Sequence, residues 1–214
     1  MTRPTQQTIH KPLPVIMKNF YVFILIFSIC GVTYSQNYPN FELDYYKDKF
    51  KMDSLTEFNL DLKAIYFNRL YELNLDDYYC IFQRELNYSS VDVNPYYLYS
   101  IQSITKDFTS ITVLHYKEAL YTNLYLLTFD QNGQKISEIS VATEGGDGAW
   151  WFKEQSKFIN DSILDSKYVE SELIEENESG ETWQTKKILT KYALSSKGEI
   201  RTIKIDSSTV KEKK

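Results

Sequence analysis

The chain has 214 residues, with 24 Lys and Arg against 29 Asp and Glu and a formal charge of −5. That length suits one domain able to bury a core of its own, and the acidic balance lacks the electrostatic footprint for nucleic acid or an anionic membrane surface. With two His and two Cys in all, it also falls short of the several ligands that a zinc centre draws on.

The first sixteen residues, MTRPTQQTIHKPLPVI, hold three of the five prolines and no acid, and Met17 followed by Lys18 reads as a second start. From Met17 to Gln36 runs MKNFYVFILIFSICGVTYSQ. Its apolar part, Phe20 to Val32, is about 13 residues, short of the roughly 20 that a bilayer-spanning helix needs. A basic residue, a short apolar block and then small residues make a secretory leader, with Thr33 and Ser35 at the third and first positions before the cut. Residues 1–35 are therefore read as an N-terminal extension plus signal peptide, and the protein as periplasmic or secreted. Two rivals stand beside this reading. A lipid-modified Cys30 is disfavoured because Ile29 is bulky where a small residue is needed. An uncleaved anchor is disfavoured by the short apolar block. Arg3, Lys11 and Lys18 leave with the leader and no acid does, so residues 36–214 carry −8.

Residues 36–206 read as a single globular domain, with mixed helix and strand over 36–119 and a β-meander over 120–206. Ser54 and Glu57 have capping-box spacing, and Leu55, Phe58, Leu62, Ile65, Tyr66 and Leu70 follow near helical spacing. This predicts a helix over 55–72, although Asn59, Asp61 and Asn68 are poor helix residues. LDDYYCIFQREL fits a second helix or a strand. YYLYSIQSI and SITVLHY read as strands joined by a turn at TKDFT, and VDVNP at 91–95 is the one hint of an internal boundary.

From residue 120 onward, six strand-forming segments alternate with turns: 120–129, 135–143, 149–157, 163–175, 182–194 and 199–205. DQNGQ, EGGDG, INDS, NESGE and SSKGE lie between them. Short strands at regular spacing with Gly, Asn, Asp and Ser turns are the all-β pattern. Asn132-Gly133 is a hairpin signal. A two-residue loop sets Leu126 opposite Ile139 and Leu124 opposite Val141; a three-residue loop with a bulged glycine sets Tyr125 opposite Ile139. Both registers stand. The fold class is mainly β, with α+β as the alternative: an antiparallel up-and-down meander, curled or barrel-like, with a minor helical part near the start. The charged residues 207–214 read as a disordered tail.

Few residues carry chemistry. His115, the single histidine after the leader, sits in a strand with no Gly-x-Ser-x-Gly elbow anywhere in the chain, and reads as an ordinary strand histidine. Cys80 is left without a disulfide partner once Cys30 is gone and reads as a small buried hydrophobe. Glu144 and Asp147, within the EGGDG loop at 144–148, are weak calcium candidates; otherwise no metal and no cofactor is expected. The Asn-x-Ser triplets at Asn87, Asn160 and Asn177 read as turn chemistry. Tyrosine is abundant, at 18 residues, and much of it lies in doublets. Adjacent strand residues face opposite sides, so each doublet on a strand is expected to place one ring in the core and one outside. Trp150, Trp151, Tyr96 and Tyr97 are the candidate binding residues, because exposed rings give recognition area at low entropy cost.

LYLLTFDQNGQKISEISVATEGGDG, followed by TKYALSSKGEI, resembles a loose class of small exported bacterial β-rich proteins with no assigned activity. The likeness covers about the last hundred residues. It implies export and a β-meander and brings no functional residue with it. The reading of the whole is a non-enzymatic exported binding or interaction module. It would use an aromatic sheet face or the interior of a curled sheet for a partner protein, a glycan or a small apolar ligand. The alternatives are a carboxylate-dependent hydrolase, or an acidic inhibitor or immunity-type protein that blocks a basic partner by charge. The leader reading predicts that protein recovered from the envelope of a secreting host has an intact mass beginning at Gln36; a lipidated mass beginning at Cys30 would overturn it.

Overall fold

The computed structural model describes residues 38–51, 53–61, 65–85, 95–117, 120–177 and 180–213. The expected leader, Cys30 and Asn87 lie outside the described residues. The strands form one antiparallel sheet. Its first half carries β1 (Glu57–Phe58), β2 (Tyr71–Glu72), β3 (Tyr96–Ile104), β4 (Phe108–Lys117) and β5 (Tyr121–Asp130). The second half adds β6 (Lys135–Gly146), β7 (Trp150–Asn160), β8 (Ile163–Asn177), β9 (Gly180–Leu194) and β10 (Ile200–Lys213). From β2 to β10 the strands lie in chain order, and β1 alone leaves that path to pair with β7. Connections this short force antiparallel neighbours, so the up-and-down meander predicted from the turn spacing is the observed fold.

Two elements differ from the sequence reading. The helix expected over 55–72 is not there: of its described residues, Glu57–Phe58 form β1, Phe67–Arg69 a single 3-10 turn and Tyr71–Glu72 β2. The Ser54 hydroxyl and the Leu55 amide go to Gln102 instead of capping a helix. The reason lies in β7. Strand β6 pairs with it only from Thr143–Gly146 against Trp151–Glu154, and the rest of that edge needs a backbone partner. Glu57 and Phe58 provide it opposite Lys157 and Ser156, and Thr56 accepts from Phe158 N–H at 3.0 Å. The second difference is the C-terminus. Residues 207–213, read as a disordered tail, continue β10 and pair with β9 out to Lys213 opposite Thr182.

Leu75–Phe82 settles as a helix. Its true capping box is Asn74 with Asp77: Asp77 N–H donates to Asn74 Oδ1 at 2.9 Å and Asn74 N–H to Asp77 Oδ2 at 3.2 Å. Both orphan donors are satisfied reciprocally. Asp77 is buried and also accepts from Tyr46 Oη at 2.8 Å and Tyr71 Oη at 2.9 Å. This ties helix α2 (Leu75–Phe82) to helix α1 (Leu43–Tyr46), which precedes it in the chain. The helix ends on Gln83 at φ +47°. From there the Gln83 carboxamide donates to Gly133 O at 2.7 Å and accepts from Lys135 N–H at 2.8 Å.

The β5–β6 hairpin resolves the register question in an unexpected way. Asp130 and Gln134 close a three-residue loop, with Gly133 at φ +76°, which is the bulged-glycine turn. An irregularity between Thr128 and Phe129 then shifts the ladder by one, so Leu126 faces Ile139 as a two-residue loop would require. A second shift sets Leu124 opposite Ala142, not Val141.

Strands β4 and β5 are buried on both faces. Ile111, Val113, Leu127 and Phe129 pack beneath the helices with Phe41, Ile81 and Phe82. Leu114, Leu124 and Leu126 pack on the other side with Phe58, Leu60 and Leu164. That second cluster exists because the sheet curls. The β9–β10 turn reaches back to β5 and β6: Thr128 Oγ1 donates to Gly198 O at 2.7 Å and Ile200 N–H to Ser137 Oγ at 3.0 Å.

Two expected outcomes follow from this packing. A Cβ on Gly133 would sit 2.0 Å from the Phe41 carbonyl oxygen. Gly133→Ala, which also forces a side chain into the left-handed region, costs about 2 kcal/mol or more of unfolding free energy, read by urea titration. His115 is 6% exposed, stacked on Tyr96 at 4.0 Å, and its Nδ1 has no partner among the described residues. Burial, with Lys117 and Arg84 nearby, pushes its imidazole down from 6.5 to about 4. The unfolded chain takes up this proton before the folded one does. The stabilisation is therefore complete above about pH 6.5 and is lost as the pH falls toward 4, by roughly 3 kcal/mol in all. His115→Gln flattens that part of the stability profile in denaturation series run from pH 7 to pH 4.

Candidate binding cleft

Strand β4 carries an alternation that the hydrophobic pattern hides. Alternating with the buried Ile111 and Val113 are Ser110 and Thr112, which are also buried. Their cross-strand neighbours repeat the chemistry: Ser103 and Ser100 on β3, and Thr128 on β5 opposite Ser110. The hydroxyls of Ser100 and Thr112 bond each other at 2.6 Å, and Thr128 is taken by Gly198. One end of the curled sheet thus has hydroxyl groups where a core would have methyl groups.

This end opens into a cleft of about 530 Å³. Its walls are the turns between β3 and β4, β7 and β8, and β9 and β10, together with residues 54–56 ahead of β1. Ten of the lining residues carry a hydroxyl or a carboxamide, Phe108 and Phe158 add aromatic surface, and Asp161 is the one ionisable side chain. Several of the polar groups are engaged. Thr105 Oγ1 donates to Phe108 O at 2.9 Å, and Ser162 Oγ lies 3.0 Å from Asn160 Oδ1. Ser195 Oγ accepts from Glu199 N–H at 3.0 Å. Ser103, Ser110 and Ser196 make no side-chain hydrogen bond among the described residues. Ser110 is only 3% exposed, and its Oγ is not among the buried polar atoms left without a partner, so the hydroxyl is accessible from the cleft it lines.

A second concavity, of about 440 Å³, lies over β1 and β7–β10. It is charged but internally matched. Lys157, Asp165, Lys191 and Lys204 stand opposite one another across four strands. Asp165 pairs with Lys191 at 3.3 Å, Asp206 with Lys204 at 2.7 Å, and Glu57 with Lys157. Surface pairs of this kind contribute little to stability, and each acid here already holds a cation.

The sequence-predicted residues lie elsewhere. Trp150 and Trp151 are 38% and 42% exposed and begin β7, whose other end forms the cleft. As neighbours on a strand they face opposite sides. The Trp150 indole packs on Phe152 and donates to Glu170 at 3.0 Å. The one-in, one-out expectation fails at Tyr96–Tyr97, because β3 is covered on both faces. Tyr97 is buried with Leu114 in one cluster, while Tyr96 packs against Tyr78, Phe82 and His115 beside the other. Glu144 is paired with Lys153 at 3.3 Å. Asp147 accepts from the amides of Ala149 and Trp150 at 2.9 and 3.1 Å. No group of three or more His, Cys, Asp and Glu side chains gathers among the described residues. Cys80 is half-buried on α2, where burial pushes its thiol up. Asn160 does what a turn asparagine does, with Oδ1 accepting from Ser162 N–H at 3.0 Å.

The cleft residues Ser103, Phe108, Ser110 and Phe158 were not singled out from the sequence. The signal was present in FTSITVLHY, where Ser110 and Thr112 alternate with Ile111 and Val113. A strand buried on both faces makes such alternation look like a wet face. Compared with known proteins, the chain matches no family model, no curated sequence and no solved structure.

Proposed function

We propose that this protein is a non-enzymatic, exported binding module that holds a short neutral glycan in the mouth of its curled sheet. The observation that carries the reading is the Ser110 hydroxyl, which borders the cleft with no hydrogen-bond partner among the described residues. A hydroxyl in that position is a site for a ligand's donor or acceptor. The cleft volume falls in the range of about 300–1,000 Å³ typical of ligand sites. Its chemistry suits a sugar: hydroxyls and carboxamides for the ring hydroxyls, Phe108 and Phe158 for the apolar C–H faces, and a single carboxylate at the rim. The hydrolase alternative calls for two carboxylates converging on one cleft, and Asp161 stands there alone among the lining residues.

The test is calorimetric titration with neutral hexose and N-acetylhexosamine oligosaccharides, with uronic-acid oligosaccharides as the charged control. Neutral oligosaccharides bind, and Ser110→Val or a cleft-filling Ser103→Phe weakens them on the order of tenfold, the scale of one lost buried hydrogen bond. Trp151→Ala leaves affinity unchanged. Binding lost in Trp151→Ala but kept in Ser103→Phe would move the site to the aromatic face, and binding of none of these sugars would overturn the reading.

A further inference from the structure

Strand β10 has β9 on one edge and no strand on the other among the described residues. From Arg201 to Lys213 every residue is exposed, so neither face is covered. Ile203, Ile205 and Val210 show about half or more of their surface to water, with Ile205 at 63%. A long edge strand with open amides and carbonyls is a template for another strand. Natural edges are blunted by proline, by bulges, by charged side chains or by being short, and β10 carries charges of both signs, among them Lys204, Asp206, Lys211 and Glu212. β10 has no proline, and its one irregularity lies between Thr202 and Lys204. Beyond it, Lys204 to Lys213 run in unbroken register with β9.

We propose that a second copy of this chain occupies that edge, with the two β10 strands antiparallel about a two-fold axis at Ser208. The sequence of the strand selects the register. Opposed residues in such a pair lie on the same face, so each candidate axis passes through a residue. An axis at Ser208 uses that run from Lys204 to Glu212, all but its last residue, and sets Lys204 opposite Glu212 of the second copy, twice by symmetry. Ile205 then meets the aliphatic stem of Lys211, Asp206 meets Val210, and Ser207 meets Thr209. The neighbouring registers are worse. An axis at Thr209 sets Asp206 against Glu212, and one at Asp206 sets Asp206 against itself. An axis at Ser207 makes no charged pair, and one at Ile205 runs directly into the irregularity. Opposite charges directly across a strand pair are stabilising and like charges destabilising. Glu212 has no ion-pair partner among the described residues. Lys204 holds only Asp206, two residues along its own strand, and both are exposed.

The experiment is sedimentation equilibrium of the protein as recovered from a secreting host across a concentration series, with circular dichroism of each variant to show that the sheet is intact. The wild-type protein sediments as a dimer. Lys204→Glu and Glu212→Lys each turn two attractive pairs into two repulsive ones and weaken dimerisation on the order of tenfold, whereas the double exchange restores it. Amide hydrogen exchange slows over 204–212 as concentration rises. A monomer at every concentration overturns the proposal. So does a dimer that ignores both charge reversals, and so does a folded double exchange that fails to restore association. None of these outcomes depends on the glycan site, whose titration reads a different end of the molecule.

Discussion

The parting of β6 from β7 is the constraint on which the rest of the fold depends. The two strands share a ladder only near the loop that joins them, and beyond it each must satisfy its backbone elsewhere. β7 takes β1, which carries Phe58 to full burial between the two halves of the sheet; a phenyl ring so placed contributes about 2–3 kcal/mol. Along β6, the side chain of Ser137 receives the Ile200 amide. Where the strands separate, Glu154 bridges the gap, accepting from Ser140 at 2.6 Å and from Ser166 at 2.7 Å. A buried carboxylate is tolerable there because both oxygens are hydrogen-bonded. The same divergence that admits β1 leaves the far end of the curl unfilled, and that unfilled end is the cleft.

The second half of the fold was legible because its information is local. Each turn from DQNGQ to SSKGE names its own geometry, and strands joined by such turns have little choice of neighbour. The hairpin register was half legible. The loop type follows from Asn132-Gly133, but the shift between Thr128 and Phe129 undoes its effect on the ladder, and no local pattern announces it. The first half was opaque for the opposite reason. Residues 55–58 are extended because β7 has an edge to fill some hundred residues later, and helical spacing of Leu55, Phe58 and Leu62 cannot compete with that long-range demand. The tail misled in the same manner: its charges suggest a loop, yet the length of β9 offers it a ladder.

The cleft was hidden for a further reason. Aromatic doublets drew attention because rings are conspicuous in a sequence, whereas Ser103 and Ser110 are not. In the structure the tyrosines largely serve packing: Tyr96 and Tyr97 show how a sheet covered on both faces absorbs neighbouring rings in opposite directions. The distinctive chemistry of the domain lies instead in small hydroxyl residues inside the curl. A core built of Ser100, Thr112 and Thr128 gives up apolar contact, and it is kept only where hydrogen bonds or a ligand offset that loss.

The clasp around Gly133 bears on how the chain is made. Phe41 N–H and the Gln83 side chain both bond the Gly133 carbonyl oxygen, at 3.0 and 2.7 Å. Segments made early therefore wait for a turn made late. During synthesis from the N-terminus, helices α1 and α2 can meet β3 and β4 early, but their clasp at Gly133 forms only after residue 133 has emerged. The meander that follows can assemble hairpin by hairpin from neighbouring strands, whose contacts close short loops and form fast. The late-made turn thus closes backwards onto Phe41 and Gln83, and locks the first half of the domain only after more than half of the chain has been made.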